Sequence, residues 1–190
     1  MRIIAGRHRG RPLKAPKGNT TRPTSDRTRE AVFNVLAHGL GEDGVTIEGA
    51  VVLDVFAGAG ALGLEALSRG ANAVTFIERD ASAARTIQAN AATLGETKTV
   101  TVLKLDATRM AVPPRTAHAP ATLAFLDPPY GEGLVVPALL GLAQKNWLAE
   151  GAILVVETGA KEETVFLPKF HVLDARDYGA AKVTFLKYTG

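Results

Sequence analysis

Gly58-Ala59-Gly60-Ala61-Leu62-Gly63 lies between an apolar run and a helical pattern, and no other stretch constrains the fold as much. The run before it, Val51-Val52-Leu53-Asp54-Val55-Phe56, reads as a buried strand. The stretch after it, closed by Gly70, reads as a short helix. In such a strand-turn-helix unit the glycines let a ligand approach the backbone, and an acid about twenty residues on takes sugar hydroxyls. Glu78 stands at that distance from Gly58, closing a second apolar run over 73–78. Gly58, Gly60, Gly63 and Glu78 are therefore candidate cofactor residues, with Phe56 at the strand end.

The chain continues the same alternation. Asp80 is placed to cap a helix with Ala84, Ile87, Ala91 and Leu94 on one face and Gly95 at its end. A third strand is predicted over 99–105 and a loop or broken helix over 107–120, where prolines recur. A fourth strand over 121–127, a helix over about 136–146 and a fifth strand over 152–157 follow. The tail, 163–188, reads as two or three returning strands. Strands alternating with helices predict an α/β fold, with a mostly parallel sheet covered on both faces.

Asp54 discriminates between nucleotide cofactors. A carboxylate just before the glycines repels a pyrophosphate and attracts a cation. S-adenosylmethionine carries an ammonium and a sulfonium and no phosphate, so Asp54 favours it over a nicotinamide dinucleotide. The competing role for Asp54 is that of a turn- or helix-capping carboxylate. Asp106, followed by Ala107, closes the third strand on the same sheet edge, where it could hold an adenine amine or simply be an exposed strand-end acid.

Asp127-Pro128-Pro129-Tyr130 follows the fourth apolar run. Two prolines donate no hydrogen bonds to a sheet, so the strand stops there. An acid, fixed carbonyls and an aromatic face at that edge suit a planar ring bearing an amine. Asp127 and the Pro128 carbonyl could hold the two N–H groups, and Tyr130 could stack on the ring. The bland alternative is a proline turn with a core tyrosine.

Charge is unevenly spread. Residues 1–30 hold nine Lys or Arg and two acids, a net +7, whereas the whole chain is only +3. This excess points to a polyanion, most simply nucleic acid, or else to a solvated tail. Arg7, Arg9, Arg11, Lys14, Lys17 and Arg22, with Arg27 and Arg29 at the start of a helix over 25–38, are the candidate phosphate contacts. Ser25 is its expected cap and Gly39 its stop. The arm has too few apolar residues, Ile3, Ile4 and Leu13, for a core of its own. The expected division is an arm and helix over 1–40 and a main domain over 41–190. The absence of cysteine excludes disulfides and thiolate chemistry, and the four histidines show no ligand spacing, so no metal is expected. No apolar stretch approaches the roughly 18 residues that span a bilayer, and no secretory leader is evident, so a cytoplasmic location is expected.

Residues 51–78 and 127–130 resemble the class I adenosylmethionine-dependent amino-methyltransferases with an (N/D)PPY motif. Met1-Arg2-Ile3-Ile4-Ala5-Gly6, Arg22-Pro23-Thr24-Ser25-Asp26-Arg27 and the run from Asp54 to Gly70 are similar to the bacterial RsmD family. That resemblance covers nearly the whole chain and is weakest over 107–120 and 158–178. It implies a Rossmann-like fold with a seven-stranded sheet. It also implies methylation of a guanine exocyclic amine, N2, in 16S ribosomal RNA, with that RNA in an assembling small subunit as the partner. His8 departs from the pattern, where a large aromatic is expected. Other DPPY enzymes that methylate DNA adenine or protein glutamine, a non-catalytic RNA-binding or ribosome-assembly protein, and a nicotinamide oxidoreductase are the rival readings.

Overall fold

A computed structural model describes residues 1–16 and 25–190. Seven strands form one sheet, in the order β3-β2-β1-β4-β5-β7-β6. They are β1 (Val51–Val55), β2 (Ala73–Ile77), β3 (Val100–Leu103), β4 (Ala121–Leu126), β5 (Leu148–Gly159), β6 (Phe170–Tyr178) and β7 (Ala181–Tyr188). The first five are parallel, and β7 pairs antiparallel with both β5 and β6. The central strands are mostly apolar, with Asp54, Thr75 and Thr122 as the exceptions, because both of their faces are covered.

Four helices cover the sheet: α1 (Asp26–His38), α2 (Ala61–Ser68), α3 (Ala81–Leu94) and α4 (Val135–Gln144). Helix α1 starts where Ser25 accepts from the Thr28 amide. Helix α3 starts where Asp80 accepts from the Ala83 amide and stops at Gly95, which is left-handed at φ 77°. Helices α1, α2 and α3 pack on one core layer through Phe33, Leu36, Leu64, Leu67 and Ile87. Helix α4 and the segment 107–120 cover the other, around Trp147, Leu139 and Leu154. Among the described residues no helix is long and apolar enough to cross a membrane.

The basic arm is part of this body. Its ends approach through a bridge between Arg2 and Pro12, and Ile3 and Leu13 are buried in the same core layer as α1 and α2. Glu65 of α2, wholly buried, accepts the Ile4 and Ala5 amides at 2.8 and 3.0 Å and pairs with Arg69 at 2.8 Å. Ile3 and Leu13, two of the arm's three apolar residues, thus join the main core. Gly6 shows how tight the fit is: a Cβ there would stand 1.8 Å from the Ser68 carbonyl oxygen.

The order of strands reverses between β1, whose chain continues outward to β2, and β4, whose chain continues the other way to β5. Ligands of open α/β sheets bind at the carboxyl ends of strands flanking such a switch point. The glycine turn and the Pro-Pro turn leave β1 and β4 at that edge.

Candidate active site

A cleft of about 510 Å3 opens there. Asp54, Phe56, Gly58, Glu78, Asp106, Ala107, Asp127, Pro128, Pro129 and Tyr130 line it, so residues from four separate stretches meet at one site. Gly60 and Gly63 lie behind this wall. Gly60, at φ 77°, caps α2, and a Cβ on Gly63 would come within 2.5 Å of the Phe76 ring. Gly63 lets the helix sit on β2. Gly58, at φ 54°, has open space where a Cβ would point, so its backbone is accessible to a ligand. Phe56 is a non-glycine residue at φ 60°, held there at the end of β1.

The two acids around the glycine turn are anchored by it. Asp54, 1 % exposed, accepts the Gly63 amide at 2.8 Å. Burial pushes its carboxyl well above the ordinary range, the Gly63 hydrogen bond opposes this, and the charges of Asp127 and Glu78 add to the rise. Glu78 accepts the Gly58 amide through one oxygen and the Asp80 amide through the other, each at 2.8 Å. Asp106 lies three residues beyond β3 rather than within it, because β3 ends at Leu103. Its carboxylate accepts from the Thr108 hydroxyl and amide, and these bonds hold it below the usual carboxylate range.

The Pro-Pro side of the cleft is built from β4 and β5. Their register sets Leu126 beside Val156, so Asp127 and Glu157 each follow the last residue paired between the two strands. The Tyr130 hydroxyl donates to Glu157, and the Tyr130 ring rests 3.6 Å from where a Gly159 Cβ would be. Tyr130 is therefore no core tyrosine: 40 % of it is exposed. Glu162 accepts the Gly131 and Gly159 amides at 3.0 and 3.3 Å, tying the turn to the end of β5.

Several residues here carry no assignment from the sequence. Met1, Ala15 and Pro16 of the arm line the cleft. In the sequence Glu157 closes an apolar run as Glu78 and Asp127 do, and that shared pattern was the available signal, although β5 continues to Gly159. The candidate phosphate contacts divide. Arg9, Lys14 and Arg27 are exposed. Arg7 and His8 meet Glu96 at 2.7 and 2.6 Å, and Arg11 donates to the Thr93 carbonyl at 2.8 Å. Burial would raise the Glu96 carboxyl, but the hydrogen bonds from His8, Thr99 and Arg7 outweigh it and hold the group low. His8 thus ties the arm to the end of α3. Arg29 corrects the expectation. It is wholly buried, donating to the Arg2 carbonyl and to Asp26, and lies 3.9 Å from Glu65. A guanidinium enclosed this way cannot reach a phosphate. Lys17 and Arg22 lie outside the described residues.

Ribosomal RNA small subunit methyltransferase D of Escherichia coli K12 is 40% identical over 158 residues, covering 83% of this chain and 74% of that protein. The protein of the same name from Haemophilus influenzae is 36% identical over 173 residues, covering 89% and 83%. The solved structure of yhhF from Escherichia coli superposes with a TM-score of 0.81 at 32% identity, over 100% of this chain and 98% of that one. The fold is that of class I methyltransferases. The model of the family described as conserved hypothetical protein 95 matches residues 1–187, and with these relatives it shows that the chain belongs to the RsmD family.

Proposed function

We propose that the protein is an S-adenosylmethionine-dependent ribosomal RNA methyltransferase acting on the exocyclic amine, N2, of a guanine in 16S rRNA. The observation that carries the cofactor is the charge of the cleft: among the described residues Asp54, Glu78, Asp80, Asp106 and Asp127 line it, and Arg79 is the one basic side chain there. Such a wall repels the pyrophosphate of a nicotinamide dinucleotide and suits a cationic, phosphate-free ligand. The accessible backbone at Gly58 and the volume of the cleft fit a nucleoside. Glu78 would hold the ribose, Asp54 the cationic end and Asp106 with Ala107 the adenine side. When bound, S-adenosylmethionine supplies an electrophilic methyl group on a sulfonium.

The chain's own residues do the rest. An amine conjugated to a ring is a weak nucleophile. Asp127 and the Pro128 carbonyl would accept its two N–H groups and aim its lone pair into the cleft, so that alignment supplies most of the acceleration. Asp127 would then take the proton that the amine sheds, directly or through water. Tyr130 would stack on the base, which must be unpaired or flipped out of a duplex to arrive. The exposed Arg9, Lys14 and Arg27, with the half-exposed Arg7, would contact phosphates of RNA in an assembling small subunit.

The relatives' printed name supports ribosomal RNA. Guanine N2 rests on the resemblance carried by the DPPY turn and the amino-terminal arm. Mapping of methylated nucleotides in 16S rRNA from cells with and without the protein tests the proposal. One N2-methylguanine that disappears with the gene and returns with it is the expected result. An unchanged methylation map would overturn the reading.

A further inference from the structure

We propose that Glu157 is a positioning residue for methyl transfer, acting through the Tyr130 hydroxyl to hold the tyrosine ring in the plane where the acceptor base stacks. The inference rests on the proposed function, since it assumes that Tyr130 meets the acceptor base.

A tyrosine on a turn that begins with two prolines has a fixed backbone but a ring free to rotate about two side-chain bonds. Stacking needs that ring in one orientation before the base arrives. Exposure alone works against this, because an exposed ring samples several rotamers. Three contacts remove the freedom. The Tyr130 hydroxyl donates to Glu157, which is 8 % exposed and lies in β5 just past the last residue paired with β4. One edge of the ring lies against Gly159, at ordinary contact distance from the position a Cβ would take. Glu162 binds the amides of both Gly131 and Gly159, so the backbone beyond the ring and the backbone beneath it move together.

The hydroxyl–carboxylate bond is the one contact among these that fixes the ring's far end. A hydrogen bond to a charged acceptor is short and roughly twice as strong as a neutral one. The register of β4 against β5 makes the arrangement rigid, since Glu157 follows Val156 and Asp127 follows Leu126, the last paired residues of the two strands. The ring and the amine-holding acid are thus referred to the same pair of strands. Phenylalanine would stack as well as tyrosine but would lose this anchor. A tyrosine hydroxyl that merely pointed to solvent would have no such effect.

The test is a double-mutant cycle on single-turnover methyl transfer to 16S rRNA, with Tyr130→Phe, Glu157→Ala and both together, and with Glu157→Gln alongside. Misplacement of a reacting group by about 1 Å can cost on the order of a hundredfold in rate. Each single variant of the cycle is expected to slow transfer by about tenfold, within that bound. The double variant should be no slower than either single one, because both remove the same bond. Glu157→Gln, which keeps an acceptor oxygen, should recover most of the rate. Affinity for S-adenosylmethionine should stay within about twofold throughout, and this separates positioning from misfolding.

Tyr130→Phe adds no volume and threatens no packing, so it keeps the proposal testable should Glu157→Ala unfold. A Tyr130→Phe protein as fast as the parent would overturn it, and so would losses that multiply in the double variant. If the parent methylates some other position, the function reading fails, while the same cycle read on that activity still decides the role of Glu157.

Discussion

The Asp54 carboxylate accepts the Gly63 amide at 2.8 Å and so joins β1 to the third residue of α2. The acid therefore does two things at once. It caps the amino end of a helix, where a negative charge is favoured, and it lies in the wall of the cleft. The capping role and the attraction of a cation were competing expectations; the structure shows the capping bond, and the proposed attraction draws on the same side chain's place in the cleft wall.

Asp54 gives a pH signature. Burial raises its folded pKa, so the folded chain holds a proton there more readily than the unfolded chain. The stability it contributes is fully present below the ordinary carboxylate pKa of about 3.9 and is lost as pH rises through the folded value. Asp54→Asn keeps an oxygen that accepts the Gly63 amide and removes the ionisation. The variant should lose less stability than the parent between acidic and neutral pH, in melts run side by side. Its affinity for S-adenosylmethionine should fall by about 1.5–3 kcal/mol, the size of a lost charged hydrogen bond. Calorimetry at neutral pH measures that.

Gly6 and Gly10 of the arm make a matched pair. Both have positive φ, 78° and 81°. A Cβ on Gly6 would strike the Ser68 carbonyl at 1.8 Å, whereas one on Gly10 would meet nothing within 4 Å. Gly10→Ala should cost only the left-handed backbone penalty, about 1–2 kcal/mol. Gly6→Ala should add an overpacking cost of about 1–3 kcal/mol. Because Met1, Ala15 and Pro16 line the cleft, Gly6→Ala should also weaken binding of S-adenosylmethionine. Denaturant melts and calorimetry on the two variants check both statements.

Arg27 and Arg29 sit two residues apart and should behave oppositely. Arg27 is exposed, so Arg27→Ala should leave stability within about 0.5 kcal/mol of the parent. It should lower the salt slope of RNA binding by about 0.7–0.9 if it meets a phosphate. Arg29→Ala removes one partner from a buried charged group and should destabilise by about 3–5 kcal/mol. Melting curves and a salt titration of RNA binding separate the two.

The sheet and the glycine turn were legible because their signals are local. Val51 to Phe56 is apolar except at Asp54, Asp80 and Ser25 are capping residues followed by helical spacing, and Gly95 closes α3 where the pattern ends. The roles of Glu65 and Arg29 were not legible, because their partners are remote: Glu65 binds the arm amides some sixty residues away. Arg29 did leave a signal. With Val32, Phe33 and Leu36 it falls at i, i+3, i+4 and i+7, which is the buried face of α1. Glu157 and Glu162 act on a turn about thirty residues earlier, and only the parallel pairing of β4 with β5 brings them there.

Alignment of the amine acts in the transition state, so Asp127→Ala should slow methyl transfer far more than it weakens RNA or cofactor binding. A positioned acid that also takes a proton contributes typically about a hundredfold to ten-thousandfold. Asp127→Asn keeps a carbonyl that can accept an N–H but cannot take the proton. If orientation dominates, the Asn variant should stay well above Ala; if the proton must go to Asp127 itself, the two should be equally slow. Asp127 also raises the Asp54 carboxyl by like-charge repulsion. Asp127→Asn should therefore ease ionisation of Asp54 and leave cofactor affinity equal to or slightly above that of the parent. Single-turnover rates at saturating RNA and S-adenosylmethionine, with calorimetry on the same samples, decide between these outcomes. Near-normal transfer by Asp127→Ala would remove the Pro-Pro turn from the catalytic centre.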